Sequence, residues 1–221
     1  HGLGTLVFAA DGTLLVTAGD GGSYYVVDKG SDSDTDFELA LIEGIIRPEE
    51  NVGAFRAQML NCHNGKLLRI DPVTGNGVSS NPFYSADQPR SPKSRVWAFG
   101  LRNPFRISIK PGTGSTNPAD GDVGEVYIGD VGWNTYEEVS VITAGGVNCG
   151  WPLFEGLTPT PGYTEAITPN GDEPNPLYGI NGCSKQFFDF QDLVKQATAD
   201  LDKTIYNPCN PLLPIGTGDR F

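Results

Sequence analysis

The chain has 221 residues, with 29 glycines, 17 prolines, only 19% charged side chains, a formal net charge of -12 and a pI near 4.4. That length allows one domain or two small ones, and the Gly/Pro balance suits short strands and turns better than long helices. The acidic surface disfavours nucleic acid and anionic membranes, leaves calcium and neutral, sugar-like ligands compatible, and no apolar run is long enough to predict a membrane-spanning helix.

In chain order, residues 4–20 give two β-rich runs split by Asp11-Gly12, a hairpin signal. Residues 21–60 interrupt the strand rhythm. They are first polar, with Asp32, Asp34 and Asp36 alternating, and then mildly helical over 37–42, which predicts a long insertion over one end of the sheets. The acidic alternation lacks the Gly and terminal Glu of a calcium-binding helix-loop-helix and is read as a solvated loop. Strands are predicted at 65–71, 95–100, 105–109, 125–129 and 138–142, with a Gly/Pro/Asp loop over 111–124. From 155 onward the chain is rich in Pro, Gly and Asn, with one helix-like stretch over 187–201. Short strands with turns every ten residues or so mark an all-β sandwich, barrel or propeller.

Two segments share the form turn, short strand, Gly-Asp: one ends at Gly19-Asp20, the other at Gly129-Asp130. In a propeller, equivalent strands end at one rim, so both Gly-Asp ends are expected at a common surface. Trp97, Trp151 and the tyrosines are assigned to the core. Four cysteines allow three pairings, and with no CxxC pair and only His1 and His63, a zinc site is not indicated. Cys183–Cys209 closing a local loop, with Cys62–Cys149 bridging two turns, is the preferred arrangement; the alternative is four free thiols in a cytosolic protein.

Five motifs in order carry a family resemblance: His1-Gly-Leu-Gly4 with Gly19-Asp-Gly21; Asn64–Pro72 followed by Asn81-Pro-Phe-Tyr84; Val96-Trp-Ala-Phe-Gly-Leu-Arg-Asn-Pro104; Gly129-Asp-Val-Gly-Trp-Asn-Thr-Tyr-Glu-Glu-Val139; and Gly145-Gly-Val-Asn-Cys-Gly-Trp-Pro152. Together they resemble the PQQ-dependent soluble glucose/sorbosone (aldose sugar) dehydrogenases. The resemblance implies an all-β, six-bladed propeller of the quinoprotein glucose dehydrogenase type, with about three to four blades in this chain. Residues 1–156 would form the blades with the family motifs, and 157–221 a loop-rich continuation of the same domain. His1 begins the chain in mid-pattern, so preceding residues are expected. The rest of the ring is expected in absent residues, another chain or a cleaved partner.

The resemblance further implies a secreted, extracellular or periplasmic protein that oxidises the C1 hydroxyl of an aldose by hydride transfer to calcium-bound PQQ. His1 matches the general base, whose imidazole titrates near working pH. Arg102 and Asn103 match the pair facing the quinone, where a cation stabilises developing negative charge; the alternative for Arg102 is to satisfy carbonyls at a blade turn. Gly132 and Trp133 match the residues whose backbone carbonyls hold calcium, with Asp130 as a possible carboxylate ligand or turn cap. Asp20 is expected to orient His1 or organise its loop, and Glu137 and Glu138 to lie along an outer strand. The basic residues that would grip the PQQ carboxylates are expected from later blades, beyond Phe221. A different class remains open: a non-catalytic extracellular propeller for adhesion, carbohydrate or protein binding, or a structural assembly subunit.

Overall fold

Strands make up 28% and helices 13% of the residues described by the computed structural model, namely 2–30, 37–192 and 207–209. The predicted strands form close to where the pattern put them. The first hairpin pairs β1 (Leu3–Phe8) with β2 (Leu14–Ala18), and Gly12 takes the left-handed turn conformation at φ 79°. β3 (Lys66–Ile70) and β4 (Val96–Phe99) extend the antiparallel meander, and β8 (Val147–Asn148) adds a parallel fifth strand beside β4. A second sheet is the antiparallel meander β5 (Pro104–Ile109), β6 (Val126–Asp130) and β7 (Glu138–Ile142). Two hairpins follow: β9 (Phe154–Glu155) with β10 (Thr158–Pro159), and β11 (Pro169–Pro174) with β12 (Phe187–Asp189).

The two larger sheets stack face to face, as the period-2 pattern requires of strands that are buried on one side. Leu15, Leu67, Trp97 and Ala98 of the first sheet share a core with Ile107, Val126, Ile128 and Ile142 of the second. Edge strand β1 lies against β5, where the Thr5 hydroxyl donates to the Phe105 carbonyl at 3.1 Å. The opposite face of the first sheet carries Val16, Leu68, Val96 and Phe99, but at β1 that face leaves Leu6 and Phe8 58% and 63% exposed. The outer face of the second sheet likewise exposes Tyr127, Val139 and Val141.

The insertion between β2 and β3 includes the expected short helix, α1 (Phe37–Ile42), and a 3-10 turn over Gly53–Gln58. That turn does more than cover a sheet end. It supplies Ala54, Phe55 and Ala57 to a second core with Trp151, Leu153, Tyr163 and Phe190, in which Phe55 stacks on Phe190 with ring centroids 4.9 Å apart. A four-residue helix, α2 (Pro92–Arg95), precedes β4.

Three expectations are corrected. Cys183–Cys209 is a disulfide, but Cys62 and Cys149 are free thiols. Cys62 is buried in the second core, its Sγ donating to the Arg56 carbonyl at 3.1 Å, whereas Cys149 packs on the first core. The helix-like stretch begins as a strand: Phe187–Asp189 pair with β11, helical backbone starts at Phe190, and residues 193–201 lie outside the described residues. Trp97, Trp151 and Tyr163 are core residues, but Tyr24, Tyr25, Tyr127, Tyr136 and Tyr178 are exposed.

Candidate functional site

The ends of β2, β4 and β6 converge through backbone hydrogen bonds. The Gly65 amide donates to the Gly19 carbonyl at 3.0 Å, Leu101 to Gly65 at 3.1 Å, Asp20 to Arg102 at 2.8 Å and Val131 to Asn103 at 3.1 Å. Gly100 makes the turn out of β4 possible, because its φ is 74° and a Cβ there would meet Asn148 Oδ1 at 2.3 Å. Asp20 and Asp130, which close the two sequence repeats, therefore both reach the Arg102–Asn103 segment. Asp130 accepts the Arg102 amide at 2.9 Å on Oδ2 and the Asn103 amide at 2.6 Å on Oδ1. Asp20 accepts the Trp151 indole N–H at 2.7 Å and the Gly22 amide at 2.9 Å.

Arg102 is only 4% exposed. Its Nη1 donates to the carbonyls of Val131 at 2.9 Å and Gly132 at 2.7 Å, and its guanidinium lies over the Trp151 ring, 5.4 Å from the centroid. Its Nε is buried without an acceptor. The neighbouring Asn103 is half-buried, and its carboxamide makes no hydrogen bond among the described residues.

The turn after β6 is clamped from both sides. Arg102 takes its carbonyls, while the buried Glu155 carboxylate accepts its amides: Trp133, Asn134 at 3.1 Å and Thr135 at 3.0 Å. Only Gly fits at 132, where a Cβ would collide with the Tyr136 carbonyl oxygen at 1.6 Å and approach Glu155 Oε1 at 2.7 Å. The Trp133 indole donates to the Tyr24 carbonyl at 2.9 Å and packs edge-on against Trp151 and Tyr163.

The surplus of carboxylates sets the electrostatics. Burial pushes the Asp130 carboxyl up to about 7, with Glu138 and Asp20 adding repulsion against the pull of its two amide donors. Burial also raises Asp20, opposed by Gly22, Trp151, Arg102 and Arg56, and raises Glu138, which faces Glu155. Glu138 accepts the Gly156 amide at 2.6 Å; Glu137 is exposed and accepts the Gly132 amide at 3.2 Å.

Arg102, Asn103, Asp130, Gly132 and Trp133 thus fall in one cluster with Asp20, whereas His1 and the Asp32, Asp34 and Asp36 run lie outside the described residues. Sequence reasoning missed Glu155, whose only signal is a carboxylate in the turn-forming run Trp151-Pro-Leu-Phe-Glu-Gly156. The half-buried carboxamide of Asn103 is uncommitted and suits a carbonyl-bearing ligand such as a quinone, whereas Arg102 Nε is buried out of a ligand's reach. The cluster does not suit calcium at Gly132: the carbonyl that would bind it already carries a guanidinium at 2.7 Å, and two cations on one oxygen repel. Among the described residues no group of three or more His, Cys, Asp or Glu side chains is arranged to hold a metal ion.

Residues 1–177 match the glucose/sorbosone dehydrogenase family, whose members typically depend on PQQ and calcium. The HIPL2 protein of Arabidopsis thaliana is 29% identical over 200 residues, and the HIPL1 protein of the same plant 28% over 198. Each alignment covers 82% of this chain but 23% of the relative, so the chain spans about a quarter of their length. Among solved structures, the apo-form of the soluble aldose sugar dehydrogenase of Escherichia coli matches with 23% identity and a TM-score of 0.42, covering 67% of this chain and 30% of its own. A glucose dehydrogenase matches with 22% identity and a TM-score of 0.44, covering 71% and 34%.

Proposed function

The chain belongs to the glucose/sorbosone dehydrogenase family, and we propose that it forms part of a six-bladed β-propeller that oxidises the C1 hydroxyl of an aldose. Two stacked meanders whose outer faces still expose Leu6, Phe8, Val139 and Val141 suit blades with neighbours on both sides. About three to four blades would come from this chain, residues 1–156 with the motifs and 157–221 continuing the domain; the others would be the rest of the ring. The Cys183–Cys209 disulfide points to an oxidising compartment, which supports secretion to the extracellular space or periplasm. No described helix is long and apolar enough to cross a membrane.

The observation that carries the activity is the uncommitted, half-buried carboxamide of Asn103 beside Arg102. PQQ, when bound, supplies the acceptor for the hydride that leaves C1. Asn103 would hydrogen-bond an oxygen of that group, and the Arg102 guanidinium would provide positive charge close by. His1 takes the proton of the C1 hydroxyl, so the sugar loses a hydride and a proton together. Asp130, Glu155 and Trp151 hold Arg102 and its turn in place. No step is assigned to calcium here, since Arg102 already holds the Gly132 carbonyl.

Addition of PQQ to the protein, followed by aldoses and an artificial electron acceptor, tests the reading. Sugar-dependent dye reduction is expected, falling about 10²- to 10⁴-fold in His1→Ala. Absence of any PQQ binding by absorbance overturns it. One observation favours a second reading: the Nη1 of Arg102 is already spent on two carbonyls, which suits a non-catalytic propeller that binds carbohydrate or protein or serves as a structural assembly subunit.

A further inference from the structure

A cavity of about 260 Å³ lies between the β11–β12 hairpin, the loop over 85–93 and the end of the 3-10 turn at Gln58. It shares no residue with the cluster around Arg102. Its apolar floor is Leu60, Phe188 and Phe190. Four polar side chains at its walls, Asn61, Ser85, Gln88 and Asn170, keep unused hydrogen-bonding capacity: of the four, only Asn170 has a side-chain bond among the described residues, its Oδ1 accepting the Asp172 amide at 3.1 Å.

The carboxylates around it are paired within the protein, but they outnumber their cations by one. Arg47 grips Asp172 through both oxygens at 2.9 Å, and Lys185 pairs with Asp189 and, at 3.3 Å, with Asp192. Lys93 and Glu173 add one charge of each sign. An anionic ligand would meet this excess of negative charge, and burying it here would be costly. A neutral ligand rich in hydroxyls fits, because each carboxamide both donates and accepts, as each hydroxyl does. Small-molecule sites usually run to about 300–1,000 Å³, so this cavity selects a compact ring over an extended chain.

We propose that this cavity binds a neutral polyhydroxylated ring, a monosaccharide or cyclic polyol, with its C–H face toward Leu60 and its hydroxyls on Asn61, Gln88 and Asn170. The site is separate from that of the proposed oxidation, and PQQ binding is not needed for it.

Saturation-transfer NMR on the protein with D-glucose, D-mannose, D-galactose and myo-inositol provides the test. At least one is expected to bind with Kd no weaker than about 10 mM. Gln88→Ala, a change in an exposed loop residue, should weaken it roughly tenfold at unchanged melting temperature, the loss of about one hydrogen bond, and Asn170→Ala should weaken it likewise with a lower melting temperature, because the Asp172 amide loses its acceptor. Arg102→Lys should leave binding intact. No binding by any of the four, binding that survives both cavity variants, or binding lost in Arg102→Lys each overturns the proposal. So does a neutral tetra-alanine peptide that displaces the sugars from the cavity.

Discussion

Arg102 Nη1 sits 2.7 Å from the Gly132 carbonyl oxygen, so a guanidinium occupies the atom at which the family resemblance places a calcium ion. The two cations exclude each other there. The melting temperature of the protein should therefore be indifferent to calcium and to EDTA. Arg102→Ala should lower stability by about 2–4 kcal/mol, since two charge-assisted bonds are lost and two carbonyls and the Asp20 carboxylate lose their cation. With the oxygen vacated, calcium should stabilise that variant alone, by about 2.7 kcal/mol at a hundredfold excess over Kd. Strong calcium stabilisation of the unaltered protein would place the metal on this turn after all.

Glu155 is the counterpart of Arg102 on the same turn, with one carboxylate serving the amides of Trp133, Asn134 and Thr135. Glu155→Ala leaves those donors without their acceptor. A loss of about 1–3 kcal/mol is expected by urea denaturation, together with faster hydrogen exchange at those amides and not at β2 or β3. Uniform acceleration across the fold would show that Glu155 supports the core generally and does not clamp the turn.

The Asp130 carboxyl, held at about 7 by burial and by the carboxylates of Glu138 and Asp20, ties stability to pH. Its folded pKa lies above the unfolded value near 3.8, so the native state keeps a proton that the unfolded chain releases. The contribution is full below about pH 4 and is lost as pH rises to 7, an effect on the order of a few kcal/mol. Asp130→Asn should flatten that slope, at the cost of turning an amide donor toward one of the backbone N–H groups the carboxylate now accepts. Urea unfolding between pH 4 and 8 measures both; an equal slope in the variant would assign it to other groups.

Much of the frame was legible because period-2 apolar patterns and Asp-Gly or Thr-Gly turns are local signals. Thus β1 to β7 appear near their predicted places, and the Gly-Asp repeat brought Asp20 and Asp130 together, though in a buried cluster and not at a surface. What escaped depends on distant contacts. The run Gly53–Gln58 reads as loop, yet it is buried because Phe55 meets Tyr163 and Phe190 more than a hundred residues later. Arg69 looks like a polar residue on a strand, but it is wholly buried, paired with Asp11 at 2.6 Å and lying over Trp97. The roles of Arg102 and Glu155 likewise require the turn at 131–135 to be folded between them.

The cysteines allow the sharpest chemical check. Cys183–Cys209 closes a loop with a sequence separation of 26, so in the chain-entropy picture its loss costs about 3–4 kcal/mol. Cys62 and Cys149 remain thiols, and burial pushes Cys149 up to about 12 and Cys62 above its ordinary value, so neither forms a reactive thiolate at neutral pH. Native protein should therefore react slowly with a thiol reagent, and release two thiols per chain only when denatured without reductant. Reductant under denaturing conditions should raise the count to four. Cys183→Ser should lower stability and free Cys209, making it the fast-reacting thiol of the native state. No free thiols in the denatured, unreduced chain would mean that Cys62 and Cys149 pair, which would require the two cores that now hold them to repack.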